Sequence, residues 1–377
     1  MVPFNVPYTT GREAGYIAEA VAAGHLSGNG AFTRRCERWL EDGIGSARAM
    51  LTPSCTAALE MAAILLDVGP GDEIVMPSFT FVSTANAFAL RGASPVFVDV
   101  RPDTLTIDVD LVRSACTDRT RAIVPVHYAG VGCDMDELCT LADVENVALV
   151  EDAAQGILAT ESGRPLGSRA ALAALSFHET KNVMCGEGGA LLVNDERFVE
   201  RAEVVQEKGT NRRRFFRGQV ERYTWVDVGS SYLLSELSAA FLWAQLEDAE
   251  RITARRLEIW DSYHAAFAPL EAGERLRRPV VPASRTHNAH MYYVLLPSER
   301  ARDRFIADLA EAGVHSVFHY VPLHSSAAGS HLGRAVGSMR VTDDASRRLA
   351  RLPLWAGMRE ADVEQVVDAV TNAAQTA

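Results

Sequence analysis

Between Arg48 and Val193 one unit recurs: a short apolar run, a polar or glycine-containing turn, then a segment of helical periodicity. The apolar runs are Arg48–Leu51, Glu73–Met76, Pro95–Val100, Arg121–Val126, Val147–Glu151, Leu172–Phe177 and Ala190–Val193. Several are apolar at successive positions, the pattern of strands covered on both faces rather than one. Helical segments lie between them at Thr56–Leu66, Val82–Arg91, Asp108–Cys116 and Met135–Ala142. Repeated strand–helix units return each strand parallel to the last, because the crossover is right-handed and packs on the sheet face. The expected class is therefore α/β, with a mostly parallel sheet between helices and ligands collecting at the strands' carboxyl ends. From Ser235 to about Pro269 the pattern is one long helical stretch. Beyond it come a strand at Met291–Leu296, a helix at Ala301–Ala312, a strand at Val314–His319 and a terminal helix at Glu360–Asn372. This predicts a large domain over 1–269 and a smaller α+β domain over 270–377.

The bulk properties narrow the function. A chain of 377 residues with 48% hydrophobic content has enough apolar material for two packed units. A formal net charge of −12 argues against nucleic acid or an anionic membrane as the main partner. No run of about 18 apolar residues suggests a membrane span, and the N-terminal Met1-Val-Pro-Phe-Asn-Val-Pro lacks the basic-then-apolar order of a signal peptide. Cys36, Cys55, Cys116, Cys133, Cys139 and Cys185 form no CxxC, and no histidine completes a zinc spacing. No metal and a cytoplasmic location are expected.

Of the 37 basic side chains only Lys181 and Lys208 are lysine; the rest are arginine. Where a positive charge suffices, arginine serves. A lysine retained in such a chain points to a use for its amine, which can lose its proton and attack a carbonyl.

Four segments carry candidate chemistry. Val147-Ala-Leu-Val-Glu151-Asp152 ends an apolar run on an acid, followed by Gln155; taken alone, Asp152 also reads as a helix N-cap. Ser176-Phe-His178-Glu-Thr-Lys181 places the amine in a turn before a glycine-rich stretch, where a plain surface lysine is the alternative. Thr52-Pro-Ser-Cys55-Thr56 leads from a strand into a helix, whose first amides either bind phosphate or are merely capped. In Pro77-Ser-Phe-Thr-Phe81, an aromatic past a strand end suits ring stacking or core packing. Together they supply an amine, a carboxylate, a phosphate cup and an aromatic face, the set that pyridoxal 5′-phosphate (PLP) requires.

The ordered motifs SxTAAL, PSFTFVSTANA, FVDV, VPVHYAG, VEDAAQ, SFHETKN and GEGGALL resemble the DegT/DnrJ/EryC1/StrS sugar aminotransferases, of aspartate aminotransferase fold type I. The resemblance covers nearly the whole chain. It is strongest to the TDP-4-keto-6-deoxyglucose 4-aminotransferases, through FTRRCERWLE, LTPSCTAALEMAA and EKGTNRRRFFRGQVERYTW. It implies that Lys181 forms the Schiff base and then moves protons, and that Asp152 holds the ring nitrogen protonated. Gln155 would lie near the phenolic oxygen and Phe81 on the ring. Cys55, Thr56 and Ser176 would hold the phosphate. Many relatives carry Asn-Tyr-Arg after the residue matching Gly229, its Asn reaching the partner subunit's phosphate. This chain has Ser230-Ser231-Tyr232-Leu233, which leaves Ser231 for that contact. Substrate-side candidates are Asn29, His178, Arg212, Arg213, His319, Tyr320 and His324, with the alternative that the histidines are structural and the arginines a solvated loop.

The activity so implied is amine transfer from L-glutamate to C4 of a TDP-4-keto-6-deoxy sugar, by a homodimer with shared sites. Arginine- and alanine-rich composition looks like a GC-rich genome and an antibiotic-sugar pathway. Amination at C3, a cyclitol acceptor, or a silent sugar-nucleotide-binding protein are the alternatives. The related sugar 3-dehydratases carry histidine at the lysine position, so Lys181 favours amine transfer.

Overall fold

A computed structural model describes residues 1–376. All seven strands anticipated in the first half are present. They are β1 (Arg48–Thr52), β2 (Glu73–Pro77), β3 (Ser94–Val98), β4 (Thr120–Ile123) and β5 (Ala148–Asp152), followed after a small ribbon, β6 (Thr160–Glu161) and β7 (Arg164–Pro165), by β8 (Leu172–Ser176) and β9 (Gly189–Val193). β10 (Arg285–Thr286) joins that ribbon, and β11 (Tyr292–Leu295), β12 (Val317–Phe318), β13 (Arg334–Ala335) and β14 (Leu349–Leu352) complete the set among the described residues. The large sheet runs β1-β9-β8-β5-β4-β2-β3-β13. β9 is antiparallel to both neighbours, and every other pairing is parallel. The carboxyl ends of β1, β2, β4, β5 and β8 therefore open on one edge.

β2, β8 and β9 are buried at every position, as their unbroken apolar runs predict. Helix Cys55–Leu65 packs one side of this sheet through Ala58, Leu59 and Ala62. Helices Ala31–Ile44 and Glu236–Glu247 pack the other through Cys36, Leu40 and Leu242. A separate core forms around Tyr263, Phe267, Tyr292, Phe305 and Val366.

Three features differ from the sequence-based expectation. The stretch from Ser235 is not one helix: Asp248 ends Glu236–Glu247 and starts Ala249–Ala266, and its carboxylate accepts from Arg12 at 2.8 Å. The strand expected over Val314–His319 is only Val317–Phe318, because Val314 pairs instead with Val2 of the N-terminal strap. β14 and β13 were not anticipated. β14 is the middle strand between β11 and β12, and its interruption by Arg351 hides it from an apolar-run reading. β13 extends the large sheet along β3, where Arg334 grips the buried Glu73 at 2.8 Å.

Candidate active site

Asp152 is the last residue of β5. Neighbouring strand residues point to opposite faces, and the consecutive acids Glu151 and Asp152 are separated accordingly. Glu151 turns inward and is wholly committed. It accepts the amides of Gly167, Arg169 and Ala170, each at 2.7 Å, and pairs with His127 Nε2 at 2.9 Å. The Cys133 amide donates to His127 Nδ1 at 3.2 Å, which places the imidazole proton on Nε2, toward Glu151. Asp152 faces a cavity of about 820 Å³ at the sheet's carboxyl edge. Its Oδ2 accepts from Thr84 Oγ1 at 2.7 Å and its Oδ1 from the Ala154 amide at 3.2 Å. Burial raises its pKa, and the Thr84 hydrogen bond works against that rise. The residues after Asp152 form turns rather than a helix, so the helix-cap reading does not hold.

Lys181 enters the same cavity from the connection between β8 and β9. Because these strands are antiparallel, residues 177–188 fold back as a hairpin. Phe177 N–H donates to Gly188 O and Cys185 N–H to Phe177 O, both at 2.8 Å. The Lys181 amide closes the tip on His178 O at 2.9 Å. Burial pushes the Lys181 ammonium below its ordinary pKa, and Cys55 and Asp152 partly restore it. Asn182, which the sequence did not single out, anchors the tip by donating to Asn288 O at 2.7 Å.

At one end of the cavity, helix Cys55–Leu65 begins with Ser54 as N-cap, its hydroxyl accepting from the Ala57 amide at 3.1 Å. The first amides of a helix have no intrahelical partner. Those of Cys55 and Thr56 thus stand beside the hydroxyls of Ser83, 2.7 Å from Thr56 Oγ1, and Ser176. Gly189 is required here, since a Cβ on β9 would collide with the Cys55 amide nitrogen. Phe81 caps helix Val82–Ala89 and stands 57% exposed in the cavity wall, a bare apolar face suited to a planar ring. Gln155 accepts from the Ala129 amide at 2.7 Å and donates to Tyr320 Oη at 3.2 Å. His319 stacks on Tyr320 with centroids 3.6 Å apart and bonds Tyr128 Oη at 2.8 Å; burial pushes its pKa well down. His178 also lines the cavity, held by Thr180 Oγ1 at 2.9 Å.

Arg256 and Arg351 went unnoticed in the sequence, hidden among 35 arginines. Both line the cavity. Arg256 is 3% exposed and, among the described residues, donates only to the carbonyls of Ala289 and His290; burial pushes it down to about 9. Arg351 reaches Phe318 O at 3.5 Å, lies 4.8 Å from the Phe4 ring, and its Nε has no hydrogen-bond partner among the described residues. Neither forms a salt bridge among the described residues; Arg351 is partly buried and Arg256 fully so, and a buried cation without an anion is costly. No residue type or spacing marks such a pair; only its missing partners do.

Five candidates do not reach the cavity of their own chain. Asn29 Oδ1 accepts from Arg213 at 2.7 Å, and Arg213 is consumed by Glu203, Glu207 and Gln206, an internal ion-pair cluster rather than a free anion site. Arg212 lies over the Phe216 ring at 5.2 Å. Ser231 is exposed in a bridge with Glu207. His324 latches Ser78 Oγ at 2.7 Å and faces Asp343 at 3.5 Å, a structural contact.

A mostly parallel sheet of this order, with Lys181 and Asp152 meeting in a cavity at the strand ends, is the arrangement of a PLP-dependent aminotransferase of fold type I, the class to which the similar solved structures belong. The chain belongs to the DegT/DnrJ/EryC1/StrS aminotransferase family, matched over residues 7–371. It is 33% identical to the GDP-perosamine synthase of Caulobacter vibrioides over 368 residues, 97% of this chain and 96% of that one. It superposes on the aminotransferase TlmJ of Streptoalloteichus hindustanus with a TM-score of 0.91 at 31% identity, each chain fully covered. The PLP form of Spr1654 from Streptococcus pneumoniae gives 0.91 at 26% identity, covering 100% of this chain and 99% of that one. No helix among the described residues is long and apolar enough to cross a membrane.

Proposed function

We propose that this enzyme transfers an amino group from L-glutamate to C4 of TDP-4-keto-6-deoxy-D-glucose. The observation that carries the reading is the polarity of one cavity: its lining includes an amine, a buried acid, the N-terminus of a helix and two arginines that pair with no carboxylate of the described residues. In this reading Cys55, Thr56 and Ser176 hold the cofactor phosphate, Phe81 covers the ring, Gln155 meets its phenolic oxygen and Asp152 its nitrogen. Bound PLP supplies the electron sink that lets a proton leave the donor's α-carbon. Lys181, with its amine eased toward the neutral form by burial, would take that proton and return it on the cofactor's side of the shared nitrogen, so that the nitrogen stays with the cofactor. Arg256 and Arg351 receive the donor's carboxylates.

If so, Arg351→Met should raise KM for glutamate by roughly 10- to 150-fold, the value of one charged hydrogen bond of about 1.5–3 kcal/mol, while KM for the sugar nucleotide stays near its starting value. Steady-state kinetics with each substrate varied in turn checks this; equal rises in both would remove Arg351 from the donor site.

The acceptor assignment rests on the near-continuous resemblance to 4-aminotransferases, the segment from Glu207 to Trp225 included. GDP-perosamine synthase bears a GDP-linked sugar in its name, so the nucleotide is the point to test. TDP- and GDP-linked 4-keto-6-deoxy sugars and the TDP-linked 3-keto sugar are offered side by side with glutamate. Turnover of the TDP-4-keto sugar is expected to exceed the others, and preferred amination at C3 or of the GDP sugar overturns the assignment. Arg212 and Ser231 act, in this reading, at the partner's site in a homodimer, which the exposed Phe216, Tyr223 and Trp225 of the same loop would help to build. Residues 1–269 would form the cofactor-holding domain and 270–377 the smaller one bringing Tyr320 and Arg351 to the cavity, with Tyr263 and Phe267 packing into the smaller one's core and β13 crossing to the large sheet. The free cysteines suit a reducing cytoplasm.

A further inference from the structure

A buried carboxylate needs donors to stay ionised. Asp152 is 5% exposed and forms no salt bridge among the described residues, so its charge is supported first by hydrogen bonds and then by the more distant charges of Lys181 and His127. Two hydrogen bonds reach it, and one comes from a side chain: Thr84 Oγ1, at 2.7 Å from Oδ2. Thr84 is fully buried, and its hydroxyl also lies 2.9 Å from the hydroxyl of the buried Thr80. An ionised carboxylate can only accept, and a threonine hydroxyl has one proton. Thr84 therefore gives that proton to Asp152 and accepts from Thr80, so the chain runs in one direction, Thr80 to Thr84 to Asp152. Each link strengthens the next in a dry interior.

The placement of Thr84 adds a second reason. It stands three residues beyond Phe81, the exposed aromatic that caps the same helix. Residues at that spacing share one side of a helix turn. A single turn thus carries both the apolar face of the cavity and the clamp on its acid, which fixes one relative to the other.

We propose that Thr84 is the positioning residue that holds the Asp152 carboxylate ionised and aimed into the cavity, with Thr80 setting the direction of its proton. This rests on the reading of Asp152 as the partner of the cofactor's ring nitrogen. Holoenzyme carrying Thr84→Val, Thr84→Ser or Asp152→Asn is compared with the unaltered protein. The readouts are the pH midpoint of the bound cofactor's visible absorbance, the glutamate half-reaction rate and the thermal midpoint. Thr84→Val is expected to retain cofactor, slow the half-reaction by about tenfold or more, and shift the absorbance midpoint; Thr84→Ser should restore both. An unmoved midpoint and rate in Thr84→Val overturns the proposal, as does a Thr84→Ser protein as impaired as Thr84→Val, which would make the loss one of methyl packing. Should Thr84→Val fail to fold, Thr80→Val decides. It is expected to shift the midpoint the same way but less, and no shift overturns the proposal. If Asp152→Asn is impaired while Thr84→Val is not, this inference alone falls; if neither is impaired, the reading of Asp152 falls with it.

Discussion

Replacing Lys181 with alanine is expected to give a folded protein with no lysine-bound cofactor absorbance and a transamination rate at least 10²–10⁴-fold lower, roughly the contribution of a positioned proton-transfer group. The size of the effect follows from the site. Lys181 sits alone at the tip of the β8–β9 hairpin, and the second lysine of the chain, Lys208, lies outside the cavity lining. Burial lowers its ammonium pKa, so a larger share of the amine is neutral and able to attack a carbonyl than in an exposed lysine. Arginine at the position keeps the charge but stays protonated and cannot form the imine, so Lys181→Arg should be equally inactive. The tip itself is held by backbone bonds and by Asn182, none of which uses the lysine side chain, so circular dichroism and the thermal midpoint should change little. Wild-type turnover in either variant would refute the assignment.

Asp152→Asn should cost on the order of 10²–10³-fold in the glutamate half-reaction, the scale of removing one preorganised electrostatic contact, while cofactor is still bound through Lys181 and the phosphate cup. Its effect on stability should have the opposite sense. Burial raises the Asp152 pKa above the ordinary aspartate value. A group with a raised folded-state pKa binds protons more tightly when folded, so stability falls as pH rises from the unfolded toward the folded pKa and stays reduced above it. At neutral pH the ionised Asp152 is thus a burden that asparagine removes. The cofactor-free Asp152→Asn protein should melt no lower than the unaltered one, by calorimetry at pH 7, and the difference should shrink in acid. A near-normal half-reaction rate, or a large drop in melting temperature, would assign Asp152 a structural role instead.

The loop 210–228 shows where a sequence reading reaches its limit. Arg212 and Arg213 are adjacent and chemically alike, and both suit a diphosphate. Folding packs Arg213 among Glu203, Glu207 and Gln206, and leaves Arg212 half-exposed over Phe216, with Glu207 at 3.8 Å. His319 and His324 divide in the same way, one stacked in the cavity wall and the other a latch on Ser78.

What the sequence determined by itself is local or periodic. Apolar runs separated by helical segments specify a parallel sheet, because strands buried on both faces must be apolar throughout and crossovers have one hand. An acid ending one run, a near-unique lysine after another and a Ser-Cys-Thr turn after a third are then bound to meet at a single edge. Only the tertiary structure decided what depends on partners distant in sequence. Thr84 matters because it meets Asp152, 68 residues away. Arg256 and Arg351 matter because no carboxylate of the described residues pairs with them, and Gln155 because Tyr320 does. Hydrogen bonds and ion pairs act over about 3–4 Å, and no pattern along a chain encodes which side chains will come that close, or which charges will be left unpaired.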